Sequence, residues 1–433
     1  LHDVAFKEAL SVWIRIGFLS FGGPAGQIAL MHRIIVDEKK WLDEPRFLHA
    51  LNYCMLLPGP EAQQLATYVG WLLHGVKGGI VAGVLFILPG ALAIFALSWL
   101  YVSLGDVAVV EGVFFGLKAA VLAIVVQALI RIGKRALTGT LKPVLAMVGF
   151  IALFVFDLPF PLVVLGAGGI GYIVARRMTI QDASQSNPDI NVETAVRVGT
   201  KRAALVCLLL WLLTVAGLLA LLGYDNVFSQ IAVFFSKMAT VTFGGAYAVL
   251  AYVAQQGVEH FQWLQPGEML EGLGLAETTP GPLILVTQFV GFLAAYREAA
   301  VEPSLLYASL GAMLTLWVTF LPCFLWIFAG APYVEKLRAN QTLSSALAAI
   351  TAVVVGVIAN LALWFGVNAL FSQQQRIVGF GVDMKWPVAG SVDIPMLALS
   401  AIACILVFRL RLGILPLLGI SAMLGACWVY IGL

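Results

Sequence analysis

The chain has 433 residues, of which 61% are hydrophobic and only 11% charged, and its mean hydropathy is +0.96. A soluble domain carries about 25% charged residues, so this chain lacks the polar surface to fold in water. The net charge of +2 comes without an acidic or basic tail, which removes nucleic acid as a partner.

The apolar runs approach the roughly 20 residues that one spanning helix needs. None shows the alternation over about 10 residues of a membrane β-strand, and backbone groups in lipid must be paired within their own segment. Helices are therefore the expected elements. Cys54, Cys207, Cys323, Cys404 and Cys427 all lie in apolar runs without CxxC spacing, which suits apolar packing better than disulfides or metal ligation. No cleavable signal peptide is expected, and no cofactor or metal.

In chain order, a first helix is expected over 5–20, ending at Gly22-Gly23. Pro24 stands where a first helical residue would, and helical periodicity resumes over 24–36. The charged stretch Asp37 to Arg46 interrupts the apolar phase. A helix over 46–57 stops at Pro58-Gly59, and Pro60 restarts it over 61–75. Uninterrupted spans follow at 79–103 and 108–131, then shorter runs at 142–158 and 160–175. Arg176 to Arg202 reads as an exposed linker, followed by a single helix at 203–222. Broken elements come again at 227–255 and 268–296, then spans at 303–330, 343–370, 393–408 and 414–431.

This order is a duplication. Phe21-Gly22-Gly23 and Phe243-Gly244-Gly245, Trp41-Leu42 and Trp263-Leu264, and Pro58-Gly59-Pro60 and Pro280-Gly281-Pro282 are each 222 positions apart. The expected organisation is a first repeat at 1–177, a polar linker with one extra helix at 178–226, and a second repeat at 227–433. Basic loops (Arg131, Lys134, Arg135 and Lys142; Arg176-Arg177; Lys201-Arg202; Lys336 and Arg338; Arg409 and Arg411) mark cytoplasmic sides, whereas Asp106 and Glu111 mark an external loop. The odd helix then inverts the second copy. The fold expected is an all-α polytopic membrane protein of two inverted-topology repeats, with broken or re-entrant helices at the Gly/Pro motifs and one extra transmembrane helix between them. This design is common among secondary transporters. Re-entrant elements give nine spans; elements that cross give thirteen.

A helix that restarts at membrane depth exposes unpaired N–H groups and the positive end of its dipole. Such ends must line protein or water rather than lipid, and they attract anions. The restarts at Gly23–Gly26, Gly59–Ala62, Gly245–Tyr247 and Gly281–Leu283 are four candidate anion contacts, where an isolated Gly/Pro motif would indicate only a kink. Arg15 and Lys237, again 222 apart, put a cation before the first break of each copy. Either they handle an anion or they snorkel to the interface. Lys118 lies mid-span, as a substrate charge or a partner of Glu111. Glu61 and Glu277 flank the proline motifs, as caps or as proton-coupling groups. Ser20, Gln27, Gln63, Gln64, Thr67, Thr242, Thr278 and Thr279 add neutral hydrogen-bonding groups. The substrate-binding set is thus Arg15, Ser20, Gly22, Gly23, Pro24, Gln27, Pro58, Gly59, Pro60, Glu61, Gln63, Lys118, Lys237, Thr242, Gly244, Gly245, Glu277, Thr279, Pro280, Gly281 and Pro282.

The motifs Phe21-Gly22-Gly23-Pro24, Met31-His32, Trp41-Leu42-Asp43-Glu44, Phe47 and Pro58-Gly59-Pro60 resemble the amino-terminal domain of the chromate ion transporter family in its long two-domain form. Phe243-Gly244-Gly245, Trp263-Leu264 and Thr279-Pro280-Gly281-Pro282 resemble its carboxy-terminal domain. The resemblance covers 5–431. In the family a polar residue such as Asn or Ser commonly follows the first proline motif, where this chain has Glu61. The resemblance implies export of chromate, a sulfate-like dianion, across the inner (plasma) membrane, driven by membrane potential or a coupling proton and giving chromate resistance. The working unit would be a monomer or homodimer. The alternative reading is a permease or channel for sulfate or another oxyanion. A more remote one is an intramembrane enzyme using His32, His49 and Glu61, but 222 positions after the two histidines stand Ala254 and Glu271, so these groups are not duplicated. No ATP-binding or hydrolase motif is present.

Overall fold

The computed structural model describes residues 4–105, 107–179, 199–243, 246–331, 341–379 and 382–431. The chain is an all-α polytopic membrane protein. Among the described residues, six helices are long and apolar enough to cross a membrane. The polar linker at 180–198, Asp106, Lys336, Arg338 and the Gly244-Gly245 pair lie outside the described residues.

Each half opens with two broken elements. In the first, α1 (Phe6–Leu19) stops before Gly22 and Gly23, whose φ angles of 85° and 72° place them in the left-handed region that suits glycine. Then α2 (Gly23–His32) runs on through a π turn (Arg33–Glu38). Lys39 Nζ meets Glu8 Oε1 at 2.8 Å and Arg15 Nη1 meets Glu38 Oε2 at 2.9 Å. These pairs bring the far end of α2 back beside the start of α1, so the two form a hairpin.

The next pair is α3 (Glu44–Cys54), capped by Asp43 accepting from the Arg46 N–H, and α4 (Glu61–Leu104). His74 and Gly75 (φ 66°, ψ −154°) break α4 into arms 61–73 and 76–104. A Cβ on Gly70 would lie 2.4 Å from the Gly78 carbonyl oxygen, and one on Gly78 2.2 Å from that of Gly70. The arms therefore fold back on each other through glycine, and only the second is long enough to span.

Two more helices, α5 (Ala108–Ala136) and α6 (Leu141–Phe154), lead to α7 (Phe160–Thr179) and the single α8 (Thr200–Leu222). The helix α5 continues past 131, so Arg131, Lys134 and Arg135 lie within it and not in the loop that the basic cluster suggested.

The second half follows the same order. It comprises α9 (Val227–Val241), α10 (Ala246–Ala254) with a π turn (Gln255–His260), α11 (Pro266–Thr278), and a 3-10 turn (Leu283–Leu285) leading into α12 (Val286–Glu298). Then come α13 (Leu305–Gly330), α14 (Gln341–Leu370), α15 (Ile394–Phe408) and α16 (Ile414–Ile431). The two π turns are displaced by 222 residues, as are the caps Asp43 and Gln265. An antiparallel β-hairpin, β1 (Gln374–Gly379) and β2 (Val382–Pro387), follows α14 where no regular element was expected.

The halves interlock. The long α5 packs along α16 and α15, at the end of the other half, and α14 packs along α7 and α6. Small residues make the contacts: Gly112 and Gly116 lie against Gly425 and Ser421, and Gly171 against Ser345 and Ala346. Close backbone approach is the principal source of helix association in lipid. The helix α8 lies at the periphery against α13 and α9, tied by Trp211 Nε1 donating to Ser236 Oγ at 2.8 Å.

Candidate functional site

The four broken elements meet tip to tip. The Gly59 N–H donates to the Thr242 carbonyl at 2.8 Å, and the Gly281 N–H donates to the Ser20 carbonyl at 2.8 Å. Both members of each bond are displaced by 222 residues from those of the other, so the contact is reciprocal. The proline before each glycine carries no N–H and ends its helix, while the glycine adopts the positive φ (123° at Gly59, 96° at Gly281) that aims its N–H across the junction. Ser20 Oγ and Thr242 Oγ1 each donate back to a carbonyl four residues earlier, Ile16 and Met238, both at 2.6 Å.

Buried amides knit the junction. Gln27 Nε2 donates to the Gly281 carbonyl at 2.6 Å, Gln64 Nε2 to the Pro58 carbonyl at 2.7 Å, and Gln63 Nε2 to Thr67 Oγ1 at 3.0 Å. The Oε1 atoms of all three glutamines are buried without a hydrogen-bond partner. Buried polar atoms are rarely left so, and their grouping here marks a polar interior in which a hydrogen-bond donor would be satisfied. Pro24 is the residue after the Gly22-Gly23 break and opens α2 together with Gly23. Pro282 leads into the 3-10 turn and Pro60 into α4, whose first residue is the half-buried Glu61.

A crevice too tight for a water molecule lies at the junction, lined by Gly22, Gly23, Ala276, Glu277, Thr279, Gly281 and Leu283. Glu277 is 3% exposed. Tyr247, in the first turn of α10, donates its hydroxyl to Glu277 Oε1 at 2.6 Å. The Arg131 guanidinium on α5 acts electrostatically on both groups. Tyr247 is expected from the sequence only as part of the Gly245–Tyr247 restart, not for its side chain, and Arg131 only as a basic residue of a cytoplasmic loop. The spacing from the Gly244-Gly245 break is the signal that pointed near Tyr247, whereas nothing local distinguishes Arg131 from its basic neighbours.

The expected cations lie elsewhere. Arg15 is 49% exposed and paired with Glu38, and Lys237 is exposed on α9; neither lines the crevice. Lys118 is matched by Glu271 at 2.7 Å, not by Glu111. That pair belongs to a larger network. Tyr101 Oη donates to Glu271 Oε2 at 2.5 Å and to Glu268 Oε1 at 3.3 Å, and Arg297 grips Glu268 through two bonds of 2.8 and 2.6 Å. The network joins α4 and α5 of one half to α11 and α12 of the other, beside a cavity of about 270 Å³. A second cavity, about 380 Å³, lies under the β-hairpin between Asp157, Glu259, His260, Asn368 and Lys385.

The junction thus holds helix restarts, spare amide oxygens, the buried carboxylate of Glu277 with its tyrosine donor, and the half-buried Glu61. The family model described as "Chromate transporter" matches residues 7–172 and 229–426. A chromate transport protein of Pseudomonas aeruginosa is 31% identical over 82% of this chain and 80% of its own length. One from Cupriavidus metallidurans is 27% identical over 81% and 80%, and a probable chromate transport protein of Synechococcus elongatus is 26% identical over 92% and 94%. No solved structure matches the chain. By the extent of the family match over both halves, the chain belongs to the chromate transporter family.

Proposed function

We propose that this protein is a secondary active transporter that exports chromate, or a sulfate-like oxyanion, across the plasma membrane and thereby confers chromate resistance. The observation that carries the reading is the reciprocal junction of Gly59 with Thr242 and Gly281 with Ser20. It brings the broken helix ends of both halves to one buried point, and the positive ends of helix dipoles favour an anion. The names of the relatives supply the substrate.

Hairpin return of the short broken helices favours the nine-span count. The halves then enter the bilayer from opposite faces, α1 to α4 from the cytoplasmic side and α9 to α12 from the external side. An inverted pair of this kind alternates access by rocking one bundle against a fixed site. A closed crevice fits such occlusion better than it fits an open channel.

The test is flux of chromate and of sulfate in proteoliposomes, each with and without an imposed membrane potential and pH gradient. Saturable chromate flux that follows a gradient and is competed by sulfate is the expected result. Folded protein that moves neither anion under any gradient overturns the proposal.

A further inference from the structure

Glu277 is out of place in an anion site. Its carboxylate lines the same crevice as Gly22, Gly23 and Gly281 and is 3% exposed. A carboxylate and a dianion sharing one buried crevice repel strongly, because water is absent to screen them. The groups facing Glu277 are few. Tyr247 on α10 donates to it at 2.6 Å, and the partly exposed Arg131 on α5 adds an electrostatic contribution. Of the other charged side chains on the helices packed against α11, Lys118 goes to Glu271 and Arg297 to Glu268, Lys77, Glu111, Lys134, Arg135 and Glu298 are exposed, and Glu61 is half-buried at the start of α4. The helices α14 and α16, which also touch α11, carry no acidic or basic side chain.

We infer that Glu277 makes oxyanion binding conditional on a proton. In the empty site the ionised carboxylate is the resident anion, held by Tyr247. A proton from water neutralises it, and the repulsion that an incoming oxyanion would otherwise meet is removed. Proton and dianion therefore travel together, and each cycle moves one net negative charge. Outward movement of that charge is driven by a membrane potential negative inside. This inference rests on the transport reading above and adds to it the group that couples.

The test is equilibrium binding of sulfate, whose charge stays constant over the range, to the full chain in lipid nanodiscs between pH 5.5 and 8.5, roughly the span over which a buried carboxyl titrates. Wild-type affinity is expected to weaken about tenfold per pH unit on the alkaline side, as one-proton linkage requires. Glu277→Gln is expected to bind with no pH dependence and, in proteoliposomes, to move two charges per sulfate in place of one. Tyr247→Phe, which keeps the carboxylate but removes its donor, is expected to keep the slope and move the midpoint to higher pH. A wild-type slope retained in Glu277→Gln overturns the inference. Should that variant not fold, an unmoved midpoint in Tyr247→Phe does the same. Folded wild type that binds neither sulfate nor chromate at any pH instead overturns the transport reading itself.

Discussion

Gly59 shows how much one residue carries in this junction. Its φ of 123° is one that an L side chain rarely adopts, and a Cβ there would lie 2.9 Å from both Cys323 Sγ and Gln64 Nε2. Gly59→Ala is expected to cost about 1–3 kcal/mol, the usual strain of such a backbone, and to part the contact with Thr242. A thermal-unfolding comparison in detergent checks the first point; unchanged stability would mean that the junction is soft. Charge follows a second rule at this scale, because a cation near the buried crevice outweighs one facing outward. Arg131→Gln is expected to weaken apparent oxyanion affinity by tenfold or more, about 1.4 kcal/mol. Arg15→Ala and Lys237→Ala should each change it less than about threefold, since exposed charges are screened. Initial-rate flux against substrate concentration separates the two classes, and equal losses would return the binding role to the outer cations.

At the scale of elements, the broken helices are short because glycine and proline stop them, and they are stable because partners from the other half finish their hydrogen bonding. The same logic governs the ion-pair network. Two carboxylates on α11, Glu268 and Glu271, take Arg297 of α12, Lys118 of α5 and Tyr101 of α4, so one short helix is clamped from three sides. Glu268→Gln removes a two-bond contact to a guanidinium. It is expected to lower stability by about 2 kcal/mol, the scale of a charged hydrogen bond, and to raise hydrogen exchange in 266–278. Exchange that rises elsewhere and not in this helix would show that Glu268 does not hold it.

For the whole molecule, the notable feature is asymmetry between matched parts. Glu277 is buried, yet Met55, 222 positions earlier, is 52% exposed. The reason lies in the packing: α11 is covered by α5, α14 and α16, whereas α3 has its main contact with α4. The interlocked bundle thus leans more on one set of broken helices than on the other. The Cβ of an alanine at 274 would lie 3.3 Å from that of Leu117, near the usual separation for a disulfide. Leu117→Cys with Gly274→Cys, in a background lacking the two accessible cysteines Cys404 and Cys427, is therefore expected to stop flux on oxidation and restore it on reduction. Full flux in the oxidised protein would make the α5–α11 contact static.

What the sequence by itself determined is what composition and local chemistry decide. An 11% charged, strongly apolar chain has to be helical in lipid. The helices had to stop at Gly22-Gly23, Pro58-Gly59-Pro60 and Pro280-Gly281-Pro282, because backbone freedom and a missing N–H act within a few residues. The 222-residue spacing was legible for the same reason. The return of the broken helices as hairpins, the tip-to-tip bonds between Gly59 and Thr242, and the meeting of Tyr247 with Glu277 were decided only by the tertiary structure. Each joins residues far apart in the chain whose own neighbourhoods say nothing of the partner. Arg131 reads as one more basic residue near a helix end, and Lys118 as an unmatched charge. Only the packing of α5 over α11 gives Lys118 its counter-ion in Glu271. The β-hairpin at 374–387 escaped because its strands alternate weakly and bury little. Its place is set by the ends of α14 and α15, which Phe371 and Val392 bridge.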